Sequence, residues 1–478
     1  MPSNVLILCS DEHMRDAMGC YGHPLVKTPN LDALARRGTR FTNAYTPSPV
    51  CVPARASLAT GRYVWQTGCW SNTQPFHGQF PGWGQRLIDR GHRVVSAGKL
   101  HYRSGADDNG FDSELVPLYL HHGIGWPYGL LLRGQHDVLS STPEMAEQIG
   151  PGESDYTRYD RRVCQVACDW LEKAPRDPDR PWVLFASFVA PHYPLICPQE
   201  FYDLYPLDQV DAPDLAGTDT MMAHPVLAAM RRMLDYDDHF DDHTRLVARA
   251  AYYGLCSFVD HLMGRVIDTL ERTGQAEDTL VVYVSDHGEM LGNKTAWTKC
   301  TMYEESVAIP MIAAGPGMPV GETCAIPASL IDLHPTVLQA TGAGVPPEDA
   351  GLYGRSLSDL AAGEDPDRAV ISEYHDGGAI TGITMLRWRN WKYVYYAGYP
   401  PQLFDLAKDP KETLDLAADP GHRDVCAACE AKLRSFLDPE AENERAYRSQ
   451  EAVIAGLGGK EAILNGEDFG FTPIPAED

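Results

Sequence analysis

The sequence predicts an α/β protein built on a mostly parallel sheet flanked by helices, with a smaller antiparallel region after it. Three observations lead there. Short apolar runs at residues 4–10, 93–97, 182–189 and 279–285 read as strands buried in a parallel sheet. Helical stretches at 29–37, 85–90, 159–173, 245–273 and 329–341 lie among them. After Gly354-Arg355-Ser356-Leu357 the texture changes to three short strands, 369–374, 383–388 and 391–396, with turn signals between them and a helix at 424–437. A chain of 478 residues is long enough for two packed regions. The expected division is a main α/β region at 1–365, an antiparallel subdomain at 366–438 and a polar tail at 439–478.

Taken in order, the first strand runs into Asp11-Glu12-His13. Acidic side chains at the C-terminal end of a buried strand sit where α/β sheets place ligands, although a solvated turn is the other reading. The helix at 29–37 has Thr28 as its cap and Gly38 as its stop. The stretch Cys51-Val52-Pro53-Ala54-Arg55 follows. Pro47 and Pro49 disfavour helix before them, residues 54–60 read as a short helix ended by Gly61, and Pro53 suits its first turn. Cys51 is thereby placed just ahead of a helix N-terminus, where the dipole favours negative charge, with Arg55 one turn on. The alternative is a buried, inert cysteine beside a surface arginine. A cysteine phosphatase would need a longer, glycine-rich loop between the two residues.

The strand at 93–97 delivers Gly98-Lys99-Leu100-His101, and in extended backbone Lys99 and His101 share a face. Residues 107–155, rich in Gly, Pro and aromatics, read as an insertion over the sheet edge that shapes a substrate site. The strand at 182–189 ends in Ala190-Pro191-His192-Tyr193-Pro194, a histidine between prolines. Residues 203–242 are acidic and irregular, a second lid candidate, and 245–273 is the longest helical pattern. The strand at 279–285 ends in Asp286-His287-Gly288-Glu289, followed by Trp297 and Lys299. An Asp-His pair at a strand end is metal-binding chemistry, and Gly288 lets backbone pass close. A further strand is expected at 309–314. The tail carries Ile454, Leu457, Ile463, Phe469 and Phe471 among polar residues, without a sustained period.

The net charge of −26 argues against nucleic acid and anionic membranes as partners, so any anionic substrate must be drawn by a local cluster of cations. No basic leader opens the sequence and no run of about 18 apolar residues marks a membrane span. The twelve cysteines read as free thiols. Cys164, Cys168 and the Cys426-Ala427-Ala428-Cys429 spacing fall within helical patterns and read as packing. These features place the protein in the cytoplasm.

Cys-x-Pro-x-Arg with a small-residue helix ending in Thr-Gly-Arg, Gly-Lys-x-His, a Pro-His-x-Pro-like segment and Asp-His-Gly with a lysine beyond occur here in one order. That order resembles the sulfatase family over about the first two-thirds of the chain. The resemblance implies a doubly wound, alkaline-phosphatase-like sheet with a small C-terminal antiparallel domain. It implies hydrolysis of a sulfate ester by formylglycine, made from Cys51 by a formylglycine-generating or sulfatase-maturating enzyme, beside one divalent metal ion, Ca²⁺ or Mn²⁺. Asp11, Cys51, Asp286 and His287 would hold the ion, with Glu12 a weaker contributor because many relatives have Asp or Gln at its position. Arg55, Lys99 and Lys299 would neutralise sulfate oxygens. His192 with Lys299 would assist the leaving alcohol, His101 would act as base, and Asn72 would contact the anion. The alternatives are a phosphonate or phosphodiester hydrolase using the same site, and a binding protein that has lost turnover. Choline-sulfatase-like relatives further imply a homodimer or homotetramer, with the tail reaching a second protomer.

Overall fold

The computed structural model describes residues 2–133, 140–141, 143–466 and 472–475. Eight strands form the main sheet: β1 (Asn4–Asp11), β2 (Thr39–Phe41), β3 (Val94–Lys99), β4 (Ser113–Leu118), β5 (Val183–Pro191), β6 (Thr279–Ser285), β7 (Met311–Ala314) and β8 (Glu322–Cys324). Their order across the sheet is β8-β2-β7-β6-β1-β5-β3-β4. The five strands from β6 to β4 are mutually parallel, and β7 is antiparallel to β6 and to β2.

The uninterrupted apolar run of β1 has a direct physical reading. Val5 to Cys9 are fully buried, and successive side chains alternate between two cores. Leu6 and Leu8 join the core under the helices α1 (Pro29–Arg36), α4 (Asp155–Glu172) and α5 (Asp242–Arg272). Val5, Ile7 and Cys9 join the core under α2 (Cys51–Thr60), α3 (Trp83–Ile88) and α6 (Leu333–Ala340). Each such fully buried aliphatic side chain contributes about 1.5–3 kcal/mol. The sheet is thus doubly wound, and β1, β3, β5 and β6 bring their C-terminal ends to one edge.

Several boundaries move for identifiable reasons. α2 starts at Cys51, not at Ala54, because Val50 is the extended residue before it and Pro53 is accommodated in the first turn. Thr28 does not cap α1. Its hydroxyl donates to Asp32, and Asp260 of α5 accepts from the N–H groups of Asn30 and Leu31 instead. α4 begins at Asp155 with Ser154 as its cap, and α5 begins at Asp242 with Asp241 accepting from Thr244 N at 2.7 Å. The insertion at 107–155 supplies β4, the edge strand, rather than only covering the edge.

A second sheet, β9 (Ala369–Tyr374), β10 (Ile383–Trp388), β11 (Trp391–Tyr396) and β12 (Tyr399–Asp405), is antiparallel throughout. Its first three strands coincide with the expected ranges. The fourth was hidden by Pro400 and Pro401, which are tolerated because β12 is an edge strand. One face packs on Tyr45, Val50 and Tyr303, and the other on α7 (Arg423–Arg434), where Cys429 is buried.

The tail departs most from expectation. Residues from Pro439 form α8 (Pro439–Gly456), begun by Asp438 as cap and Pro439 in the first turn, and they pack on this same chain. Ala446 packs against Val64 and Trp70, Ile454 against Leu130 to Leu132, and Gln450 Nε2 donates to the His375 carbonyl at 2.5 Å. Sparse contacts spaced along one helix face, each met by a different loop, are weaker in sequence than a continuous apolar stripe. Phe469 and Phe471 lie outside the described residues. Among the described residues no helix is long and apolar enough to cross a membrane.

Candidate active site

The strand ends and the start of α2 converge on one buried cluster. Cys51 is the first residue of α2 and is 2% exposed. Its Sγ lies 3.2 Å from His287 Nε2 and 3.7 Å from Asp11 Oδ1. One donor atom from each of Asp11, Cys51, Asp286 and His287 falls within 4.8 Å of the others, and all four residues are buried. Burial, and then the nearby Asp11, push the Cys51 thiol up to about 12.

The carboxylates are held from behind. Arg55, one turn along α2, donates from Nε to Asp286 Oδ2 at 2.8 Å and from Nη2 to Asp11 Oδ2 at 3.4 Å. Its Nη1 donates to the Lys99 carbonyl at 2.8 Å and to Ser187 Oγ at 3.0 Å. Lys99 Nζ, at the end of β3, also pairs with Asp11 Oδ2. Burial opposes ionisation of Asp11, but the charges of Lys99 and Arg55 outweigh it and hold the carboxyl well below its usual range. Asp286 Oδ1 accepts from the backbone N–H groups of Glu12, at 3.2 Å, and His287, at 3.0 Å. His287 Nδ1–H donates to the Gly288 carbonyl at 3.0 Å, which leaves the Nε2 lone pair facing the other three donors.

Glu12 turns the other way. Its φ is 66°, and its Oε2 accepts from Lys299 Nζ at 2.7 Å and lies 3.2 Å from His192 Nε2. His192 Nδ1–H donates to the Tyr193 carbonyl at 2.6 Å, so Nε2 accepts from Lys299 Nζ at 2.8 Å. Burial, then the charge of Lys299, holds the His192 ring well below its usual value. His101, with φ of 55°, has no hydrogen-bond partner on either ring nitrogen among the described residues, and burial, then Lys99 and Arg55, hold its ring well below the usual value. Positive φ recurs at Thr298 and Cys300 on either side of Lys299.

A cavity of about 520 Å³ opens above the cluster. Cys51, Asn72, His101, His192 and Lys299 line it, whereas Arg55 and Lys99 do not. The Asn72 side chain accepts from Val52 N at 3.2 Å through Oδ1, which turns its NH₂ group to the cavity. Trp126, Tyr236 and Tyr374 form apolar walls, and Thr472 closes one side, its carbonyl accepting from Tyr156 O–H at 2.7 Å. The geometry therefore brings every expected residue to one place but divides them. Arg55 and Lys99 sit beneath the carboxylates, where the first expectation put them on the anion itself. Glu12 bonds Lys299, and with Asp11 and His192 it forms a second group whose donor atoms lie within 4.8 Å of one another.

Two neighbours had no expected part. Glu289 Oε1 accepts from Leu291 N at 2.7 Å and Thr298 N at 2.6 Å, cinching the loop just before Lys299. Asp376, on the cavity wall, accepts from Asn72 N at 2.8 Å. Glu289 was legible as an acid directly after Asp-His-Gly. Asp376 comes from the second sheet, and only tertiary packing brings it here.

The family model for Sulfatase matches residues 3–343, and the model for N-sulphoglucosamine sulphohydrolase, C-terminal, matches residues 292–438. A choline-sulfatase of Rhizobium meliloti (strain 1021) is 31% identical over 467 residues, covering 95% of this chain and 88% of that protein. An arylsulfatase K of Danio rerio is 28% identical over 474 residues, covering 93% and 86%. Among solved structures, the phosphonate monoester hydrolase of Agrobacterium radiobacter superposes with a TM-score of 0.74 at 27% identity, covering 91% of this chain and 95% of that one.

Proposed function

This chain belongs to the sulfatase family and is a sulfuric ester hydrolase, and from that premise we propose that its nucleophile is formylglycine derived from Cys51, acting beside one divalent ion. The single observation that carries this reading is the buried set Asp11, Cys51, Asp286 and His287, four donors within 4.8 Å at the start of a helix. The set fits a metal ion. Two carboxylates and an imidazole with its lone pair already directed inward suit Ca²⁺ or Mn²⁺, completed by an oxygen on residue 51. When bound, the ion supplies Lewis acidity that activates a hydroxyl of the hydrated aldehyde and polarises a sulfate oxygen.

The other roles follow from position. Arg55 holds Asp11 and Asp286 from below, and Lys99 pairs with Asp11. Lys299 Nζ and the Asn72 amide face the cavity and can donate to non-bridging sulfate oxygens as charge grows. Lys299 Nζ, with His192 Nε2 as its partner, holds the proton that stabilises the departing alcohol oxygen. Glu12 keeps that lysine in place, and removing its carboxylate in Glu12→Gln is expected to lower kcat about tenfold or more while metal content stays unchanged. Lower metal content in that variant would restore Glu12 to the ligand set. His101, which lines the same cavity as residue 51 and has no ring hydrogen bond among the described residues, takes the hydroxyl proton when sulfate leaves.

The substrate is a small sulfate ester. The aromatic walls accommodate an apolar group or a quaternary ammonium, and a relative named choline-sulfatase makes a cationic alcohol the first to test. The alternative, a phosphonate monoester or phosphodiester, draws support from the phosphonate monoester hydrolase structure. A panel of aryl and alkyl sulfates, phosphonates and phosphodiesters on one preparation decides between them. The highest kcat/KM is expected for a sulfate ester, and a phosphonate ahead of every sulfate reverses the assignment.

We propose the cytoplasm as the compartment, a reading supported by twelve unpaired cysteines. A formylglycine-generating or sulfatase-maturating enzyme must act before folding completes, because Cys51 is 2% exposed in the folded chain. We further propose a catalytic region at 1–365, a C-terminal subdomain at 366–438, and a homodimer or homotetramer to which the tail beyond α8 contributes. Deleting residues 467–478 removes Thr472 from the cavity wall. The expected result is a KM about tenfold higher with kcat within threefold, the scale of one hydrogen-bonded contact, and a smaller mass by light scattering. An unchanged mass shows that this segment does not hold the oligomer, and an unchanged KM shows that it does not shape the site.

A further inference from the structure

We propose that Asp160 on α4 is a positioning residue for His192: its carboxylate takes the two backbone N–H groups at which β5 leaves the sheet, and so fixes the segment that carries the imidazole. Pairing between β3 and β5 ends with Gly98 opposite Ser187, and the register between β1 and β5 shifts before Asp11 meets Pro191. β5 therefore outruns its neighbour on the β3 side, and the N–H groups beyond Ser187 need another acceptor. Asp160 supplies it. Its Oδ1 accepts from Val189 N at 2.8 Å and its Oδ2 from Ala190 N at 2.7 Å. The Val189 carbonyl in turn accepts from His192 N at 3.0 Å. The carboxylate is thus two hydrogen bonds from the backbone of His192, whose ring is then set by the bond from Nδ1–H to the Tyr193 carbonyl.

The placement of an acid here needs a reason. Asp160 is fully buried, on the same face of α4 as Tyr156, Val163 and Cys164, and it has no ion-pair partner among the described residues. Burial pushes the Asp160 carboxyl up to about 7 and the N–H groups of Val189 and Ala190 pull it back; with one N–H on each oxygen, both polar atoms of the buried group are satisfied. An amide cannot replace it. Asparagine can accept from one N–H but presents its own NH₂ to the other, so one end of the pair is pushed away and the turn into His192 loosens.

This inference rests on the assignment of His192 and Lys299 to the leaving group, and it is tested by leaving-group dependence. Wild-type enzyme, Asp160→Asn, His192→Ala and the double variant are compared on 4-nitrophenyl sulfate, whose leaving group needs no proton, and on a simple alkyl sulfate, whose leaving group does. Metal content and Tm are measured for each. Asp160→Asn is expected to lower kcat/KM about 100-fold for the alkyl sulfate, the scale of a misplaced proton donor, and less than threefold for the aryl sulfate. In the His192→Ala background the same substitution should change the alkyl rate less than twofold, because the two residues act as a unit. Should Asp160→Asn not accumulate, Asp160→Glu, which keeps two acceptor oxygens at altered reach, carries the same comparison. Equal losses on both substrates, no loss on either, or full additivity with His192→Ala overturns the proposal. A His192→Ala enzyme without leaving-group dependence instead removes the assignment on which the proposal rests.

Discussion

Cys51→Ala is expected to lower kcat/KM by at least about 10⁴-fold, the scale seen when a covalent nucleophile is removed. The reason is local. Residue 51 is the only position at the head of α2 whose side chain touches both Asp11 and His287 among the described residues. Alanine leaves the helix intact, since Val50 is extended before it and the Ala54 N–H still reaches the Val50 carbonyl at 3.2 Å. Stability should therefore change by about 1 kcal/mol or less, so that lost activity cannot be laid to unfolding. Wild-type protein prepared without the maturating enzyme should be as inactive as the alanine variant, because a thiol cannot supply the hydrated-aldehyde hydroxyls that the proposed steps use. A thiol-only preparation with turnover near that of the matured enzyme contradicts the nucleophile assignment.

The second large effect is at Asp286. This carboxylate accepts from Arg55 on one oxygen and from two backbone N–H groups on the other, and it belongs to the four-donor set. Asp286→Ala leaves the Arg55 guanidinium, itself buried, short of its nearest counter-charge, which costs about 3–5 kcal/mol. Asp286→Asn keeps the shape and separates the two effects. Its expected result is loss of bound metal by elemental analysis and a fall in kcat of at least about 10³-fold, with a smaller change in Tm. Chelation of the wild-type enzyme should reproduce the kinetic loss, and the ion that best restores activity identifies the metal. A wild-type metal content in Asp286→Asn means that the ion is held elsewhere.

Much of this site was legible because its parts lie at strand ends, and strand ends announce themselves. Asp11, Lys99, His192 and Asp286-His287 each follow a short apolar run, and a parallel sheet brings the C-terminal ends of its strands to one edge. The helix period likewise tied Arg55 to Cys51. What the period could not convey is direction. The carboxylates that claim the guanidinium arrive from β1 and β6, far off in sequence, so Arg55 faces down into them rather than up to the anion. The contacts of Glu12 were hidden for a similar reason. Its left-handed backbone swings the side chain toward Lys299, and a φ of 66° on a glutamate leaves no mark in the sequence.

Other misses did leave marks. Asp160 stands among Tyr156, Val163 and Cys164 on what becomes the buried face of α4, and an acid on an apolar helical face is itself a signal of a buried partner. Asp438-Pro439 is a helix start of the ordinary kind, with acids in the first turn behind it. The tail nonetheless read as irregular because α8 buries only scattered residues, each against a different loop. Pro400-Pro401 conceal β12 because prolines are confined to edge strands, and only the structure shows that β12 lies at an edge.

The central claim is that residue 51 acts as an aldehyde. It is tested most directly by peptide mass spectrometry on preparations matured to different extents, with the aldehyde fraction at residue 51 set against kcat for the best sulfate ester. The account predicts a straight line through the origin, with turnover per aldehyde constant and none from the thiol. Turnover that is independent of the aldehyde fraction would contradict it.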